Sequence, residues 1–217
     1  MKKYFKQPLI KILIVFVSAF LLTQVSFAYI SVSETAEILK TDHYRLGVIP
    51  QVLLSNSTGS NSSNIGVFMD LPVENDINTR FIIGSGHTSF WTSASVKWVP
   101  YPDYDKQPAM GLRGALIYAR DERVDFYNIQ LTPLISKIVQ TEWGTMTPYV
   151  GVPVTAVHHS SSSETVMQFA IGSEWNERQD FQVGAEFDLN LSDTNITSNS
   201  LTFHINFPFD GNVGFRK

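Results

Sequence analysis

Two stretches near the C-terminus decide the fold: Phe181-Gln-Val-Gly-Ala-Glu-Phe-Asp-Leu189 and Leu201-Thr-Phe-His-Ile-Asn-Phe-Pro-Phe209. In the first, Phe181, Val183, Ala185, Phe187 and Leu189 alternate with Gln182, Gly184, Glu186 and Asp188. In the second, Leu201, Phe203, Ile205, Phe207 and Phe209 alternate with Thr202, His204, Asn206 and Pro208. Every odd position is apolar, and only Pro208 among the even ones is neither polar nor small. A period of two is that of a β-strand with one apolar face. The polar run Ser192 to Asn199 between them reads as the turn of a hairpin. Because both apolar faces use odd numbers, directly paired residues must sum to an even number. Centring the turn near Asn195 predicts Glu186 across from His204.

The same alternation recurs upstream, in residues 165–175, 145–157, 124–139, 110–120, 88–99, 79–84, 64–71 and 44–55. Ile117 falls out of pattern, and Pro133 predicts a bulge or phase slip within 124–139. Pro50, Pro148 and Pro153 should sit at bulges or strand ends, because proline has no N–H to give a ladder. No segment after residue 40 holds a helical period. The expected fold is all-β with about ten antiparallel up-and-down strands, or eight if 79–84 and the split within 124–139 are merged.

The chain begins with Lys2, Lys3, Lys6 and Lys11, followed by the uncharged run Ile12 to Leu22 and by Ser26-Phe27-Ala28. A basic start, a short apolar run and small residues at −3 and −1 describe a cleaved secretory signal peptide over 1–28. Eleven apolar residues are too few for a spanning helix, which needs about 20. Removing four lysines would leave 189 residues with 12 Lys and Arg against 20 Asp and Glu, a net charge of −8 rather than −4. That balance argues against nucleic acid as a partner. The chain has no Cys, which excludes disulfides, thiolate metal sites, a cysteine nucleophile and a lipoprotein anchor. Residues 29–43 precede the sheet and are expected in the periplasm. Ser31 and Glu34 there have capping-box spacing, which allows a short helical turn.

An alternating chain can turn its apolar face inward, as in an exported soluble β-sandwich or lipocalin-like binder, or outward to lipid. Three features favour lipid. The connections alternate between compact ones and ones rich in Ser, Asn, Thr and charge, as short periplasmic turns and longer outer loops would. Tyr44, Trp98, Trp175 and Phe209 all lie on the apolar face near one edge, where an interfacial aromatic belt belongs. The polar face mixes small residues, Gly47, Gly66, Gly172 and Gly184, with ionisable ones, Asp70, Lys97, Glu174, Glu186 and Asp188, which suits a narrow lumen.

With these features the chain resembles the small outer-membrane β-barrel proteins of Gram-negative bacteria. The resemblance covers residues 44–209, and its most specific motif is the aromatic-ended last strand, Leu201 to Phe209. It implies a transmembrane β-barrel in the cell outer membrane, with lipid around it and the outer-membrane assembly machinery recognising the last strand. The class usually ends on the final aromatic, whereas Asp210 to Lys217 follow here as a short tail.

Candidate sites are few. Glu186, His204, Asp188, Lys97 and Glu174 face the expected lumen and read as a hydrogen-bonding network rather than a catalytic set. His158-His159, followed by Ser160 to Ser163 and Glu164, reads as a solvated loop. His87 between Ser85 and Ser89 sits in a Gly-rich turn. Asp103 and Asp105 are too few carboxylates for a specific Ca²⁺ site. No cofactor, metal or phosphate-loop motif is present. The expected function is a structural or narrow-channel barrel, since ten strands leave room for side chains but no wide pore. Alternatives are an adhesion or receptor barrel presenting outer loops, and an outer-membrane enzyme acting on lipid or protein.

Overall fold

The computed structural model describes residues 31–54, 62–121, 124–159, 162–176, 180–192, 198–211 and 214–215. The expected leader, 1–28, lies outside them, as do Ser160 and Ser161. The described residues contain no helix and form β1 (His43–Leu54), β2 (Ser62–Glu74), β3 (Ile77–Gly86), β4 (Phe90–Tyr101), β5 (Ala109–Asp121), β6 (Val124–Ser136), β7 (Val139–Thr141), β8 (Gly144–Gly151), β9 (Val154–His159), β10 (Ser162–Asn176), β11 (Gln182–Asn190), β12 (Asn199–Asp210) and β13 (Gly214–Phe215). Strands β1 to β6 and β9 to β12 each pair antiparallel in succession, β6 pairs with β9, and β1 pairs with both β2 and β12, so the sheet closes on itself. β8 and β9 are two halves of one stave between β6 and β10. β7 is a short addition to β8, and β13 folds the tail back onto β12 through Phe209 and Asp210. The result is a closed antiparallel barrel of ten staves, with no strand edge left unpaired around the ring.

The faces follow the sequence pattern. From Phe126 to Ser136 on β6 burial alternates without a break, with Ile129 58% and Leu131 51% exposed while Gln130 and Thr132 are buried. On β12, Phe203 and Phe207 point out while Thr202, His204 and Asn206 point in. The apolar side is therefore the outside of the barrel. Pro133 causes no phase slip, contrary to expectation: β5 pairs with β6 in one register from Ala109 to Asp121. Instead, the prolines sit where a ladder lapses. Pro133 and Pro153 flank the gap between β8 and β9, Pro148 lies where β8 passes from β7 to β6, and Pro50 lies where β1 and β12 skip two residues. No donor is missed at such places.

The rim where β1 begins and β12 ends is the near rim, and the opposite one is the far rim. The expected contrast between short near turns and long far loops holds only in part: 55–61 and 191–198 are long far connections and 75–76 a short near one, but others reverse it. At the far rim β5 and β6 are joined by 122–123, and β9 and β10 by 160–161, while the near rim carries the longer 102–108. Polar residues assigned to far loops continue the strands, because their backbone groups find ladder partners there.

The segment placed before the sheet departs furthest from expectation. Of its described part, residues 31–36 form no helical turn and lie inside the barrel, while Lys40, Thr41 and Asp42 are exposed. Ser31, Val32, Ser33, Glu34, Thr35 and Ala36 are each at most 5% exposed, and they run from the near rim up the inside of the barrel. Val32 and Ala36 pack on the inward side chains of Val99, Ala109, Leu134 and Ala170.

Candidate functional site: the filled lumen

The near half of the lumen is built around Glu34. Its carboxylate lies 2.9 Å from Lys97 Nζ and 3.3 Å from Arg113 Nε, and all three side chains are buried. Lys97 also donates to the carbonyls of Thr35 at 2.8 Å and Glu37 at 2.7 Å. Arg113 donates to Gln130 Oε1 at 2.7 Å, and Ser136 Oγ donates to Glu37 Oε1 at 3.1 Å. β3 contributes Arg80, which donates to both oxygens of its cross-strand partner Asp70 and, at 2.7 Å, to the carbonyl of Ser33. Its guanidinium lies 4.3 Å over the Phe68 ring. Charges withdrawn from water are tolerable only when paired and hydrogen-bonded in this way.

Glu186 and His204 share the inward face, but two residues away from the expected register. Glu186 pairs with Thr202, and His204 with Gly184. The hairpin is centred one residue earlier than the polar run implied, with its parity intact. Ser33 joins the two groups. Its backbone N–H donates to the Glu186 carboxylate at 2.8 and 2.9 Å, and its Oγ lies 2.7 Å from His204 Nδ1. Ser31 Oγ also donates to Glu186. His204 Nε2 lies 3.4 Å from Glu174, which lies 3.5 Å from Arg45. Asp188 accepts from Ser200 at 2.6 Å.

Ser33, His204 and Glu174 have the connectivity of a nucleophile, base and acid. Ser33 is 1% exposed, however, and its N–H and carbonyl are both committed to Glu186 and Arg80. A substrate carbonyl has no approach to Oγ, which catalysis requires. These contacts hold Ser33 at φ 39, a left-handed conformation unfavourable for a residue with a Cβ. The arrangement anchors the segment.

The far half of the lumen holds an apolar cluster among buried polar side chains that include Gln51, Asn64, Asn128, Gln168 and Asp188. Ile49, Phe68, Ile82, Trp91, Ala115, Ile117, Ala119, Phe126, Val157 and Val166 form one buried cluster. Ile117, out of pattern in the sequence, belongs to it. The inward glycines seat large rings. A Cβ on Gly47 would lie 2.4 Å from Phe68, on Gly84 2.4 Å from Trp91, on Gly172 2.4 Å from Tyr149, and on Gly184 2.2 Å from His204. Such distances are far inside van der Waals contact.

All five residues expected in the lumen network, Glu186, His204, Asp188, Lys97 and Glu174, are buried on the inner wall. Tyr44, Trp98, Trp175 and Phe209 lie toward the near rim. Tyr44 and Phe209 are cross-strand partners with rings stacked 5.3 Å apart. Trp98 Nε1 donates to Asp76 at 2.9 Å, and Trp175 Nε1 to the carbonyl of Trp143 at 2.6 Å. His158 and His159 point to opposite faces of β9, so they cannot share a ligand; the His159 ring packs 5.5 Å from Phe126. Asp103 holds the chain's own cation: Lys137 Nζ donates to it, and the Ile138 N–H donates at 2.7 Å. Burial works to raise the Asp103 pKa, but these two bonds outweigh it and hold the carboxyl below its usual value.

Sequence reasoning missed Ser33, Glu34, Arg80 and Arg113 as members of the network. No charge count pointed to Glu34, because the inward cations Arg45, Arg80, Lys97 and Arg113 were already matched in number by Asp70, Glu174, Glu186 and Asp188. Sequence reasoning also missed a second aromatic group at the far rim. There Phe90, Tyr118 and Tyr127 lie in sequence, 6.3 and 5.3 Å apart.

No family model and no curated protein sequence matches the chain. Among solved structures it is similar to an outer membrane channel from Pseudomonas putida F1, at 8% identity and a TM-score of 0.51. The match covers 80% of this chain and 98% of that one. This is a likeness of fold alone, that of the closed antiparallel β-barrel. OmpF of Salmonella typhi also matches, with 77% and 97% coverage and 7% identity. Its TM-score of 0.28 carries no argument.

Proposed function

We propose that the protein is exported by its first 28 residues and resides in the cell outer membrane as a structural barrel that does not conduct. The near rim would face the periplasm and the apolar wall would meet lipid. Leu201 to Phe209 would be the strand offered to the assembly machinery. The observation that carries this reading is the filled interior: Glu34, buried between Lys97 and Arg113, fixes residues 31–39 in the near half, below an apolar cluster in the far half. A water thread needs a continuous polar path, and an apolar constriction opposes wetting.

A narrow channel is the second reading. It is supported by the fact that residues 31–39 belong to no strand, and by the likeness in fold to a protein described as a channel. Planar-bilayer recording separates the two, using the wild type and a chain lacking residues 31–39, with heat-modifiable gel mobility as the check that both form barrels. Silence from both supports the structural role. Discrete steps from the shortened chain alone assign a channel closed by its own N-terminal segment, and steps from the wild type overturn the non-conducting reading.

A further inference from the structure

We propose that Lys97 and Arg113 form a binding site in the lumen wall for a small carboxylate, and that the chain fills this site with its own Glu34 as a tethered ligand. The site belongs to the wall and stands under either reading of conductance.

Lys97 on β4 and Arg113 on β5 are direct cross-strand partners, and both are buried on the inner face. Directly opposed Cβ atoms lie about 4.5–5.5 Å apart, and like charges in that position oppose folding. The neighbouring wall offers them no counter-charge. Their row across the sheet reads Asn78, Lys97, Arg113, Thr132, and the next row toward the far rim reads Arg80, Ser95, Ala115, Gln130. Neither row contains a carboxylate. The other inward cations are matched by acids of the wall itself, Arg80 by Asp70 on the adjoining β2 and Arg45 by Glu174 on β10. Cations and acids are thus equal in number around the barrel, but not in place at this point.

Glu34 supplies what the wall lacks there. One of its oxygens lies 2.9 Å from Lys97 Nζ and the other 3.3 Å from Arg113 Nε. A carboxylate has two accepting oxygens, one for each cation, whereas a halide offers a single centre. The segment that carries Glu34 is also held by other contacts. Arg80 donates to the Ser33 carbonyl, the Ser33 N–H donates to Glu186, Lys97 donates to the Thr35 carbonyl, and Val32 and Ala36 pack on the wall. Glu34→Ala therefore removes the ligand and leaves those anchors in place. The fragment it deletes is a methylene bearing a carboxylate, which has the shape of acetate. Two buried cations without a counter-ion are costly, so the variant should take up a free carboxylate.

The test is rescue of Glu34→Ala barrels by acetate in detergent, read as the ratio of compact to unfolded chain on gels after heating to a fixed temperature. Acetate should raise that ratio on the order of tenfold, the effect of a ligand present at about ten times its dissociation constant. Acetamide, which has the shape without the charge, and chloride at equal ionic strength should leave it unchanged. The wild type should gain nothing from acetate, because Glu34 already holds the site. The double variant Glu34→Ala, Lys97→Gln should gain nothing either. If Glu34→Ala forms too few barrels to heat, the yield of compact band on refolding in acetate against chloride reads the same effect. No gain from acetate in either measure, an equal gain from acetamide, chloride or in the wild type, or a gain that survives Lys97→Gln each overturns the site.

Discussion

Gly184 of β11 lies directly opposite His204 of β12, and the imidazole occupies the place a side chain on Gly184 would need. The ring is held from both ends, by Ser33 Oγ at 2.7 Å and by Glu174 at 3.4 Å. Gly184→Val must push it off one or both partners. The expected loss is about 1–3 kcal/mol, the usual range for overpacking a close-packed interior. The shift of the compact gel band with temperature measures it. An unchanged transition would mean the ring has somewhere else to go.

Glu34→Gln keeps the shape of the side chain and removes its charge. Lys97 and Arg113 would then be left buried without that carboxylate, Lys97 still donating to the carbonyls of Thr35 and Glu37 and Arg113 to the Gln130 amide oxygen. Removing one member of a buried ion pair typically costs about 3–5 kcal/mol. Urea unfolding in lipid vesicles should register a loss of that order, and the 31–39 segment should become the first part of the folded barrel to exchange its amide hydrogens. A loss below about 1 kcal/mol would place this pair with surface ion pairs.

The barrel wall was legible and its contents were not, for a physical reason. Contact with lipid demands an unbroken apolar face, so Phe181 to Leu189 and Leu201 to Phe209 declare their period in sequence. A lumen makes no such demand. It accepts Lys97 beside Glu34, or Ile117 beside Trp91, provided each finds a partner. Ile117 and Trp91 therefore look like noise in an alternating pattern, although both belong to the apolar cluster inside the barrel. Residues 31–39 have no period at all, and nothing local separates a periplasmic segment from one inside the barrel. The expected hairpin centre was one residue off, and the pairing therefore two, because a polar loop does not mark its own centre. Glu186 and His204 were correctly placed on one face, but the residue joining them, Ser33, comes from more than 150 positions away.

The outward face should tolerate no charge near mid-height. Ile129 on β6 and Leu116 on β5 are cross-strand partners, 58% and 64% exposed. Placing Arg at Ile129 should cost roughly 2–4 kcal/mol if this surface meets hydrocarbon. Ile129→Leu should be neutral. The inner face is not a permissive control, since Thr202 is fully buried and Thr202→Arg must displace the packed lumen. Thr202→Ser is the tolerated change there. Folding yields into bilayers would contradict the lipid assignment if Ile129→Arg matched Ile129→Leu.

Acid should weaken the near rim through Asp103. This carboxyl ties the turn after β4 to the end of β6, through Lys137 and the Ile138 N–H. Lys137 also donates to the carbonyl of Asp105 at 2.6 Å. Burial alone would raise the Asp103 pKa, but the two bonds prevail and lower it. A lowered folded value means the charged form is favoured by folding. The stability it adds is fully present above the unfolded value near 3.9. It is lost as the pH falls through the lower folded value, because protonation then costs the folded state its advantage. Asp103→Asn should therefore be less stable than the wild type at neutral pH by an amount that stays constant down to about pH 5 and shrinks below about pH 4. Equilibrium unfolding of both proteins across that range is the measurement. A gap between them that persists undiminished to about pH 2 would show that Asp103 acts through shape rather than charge.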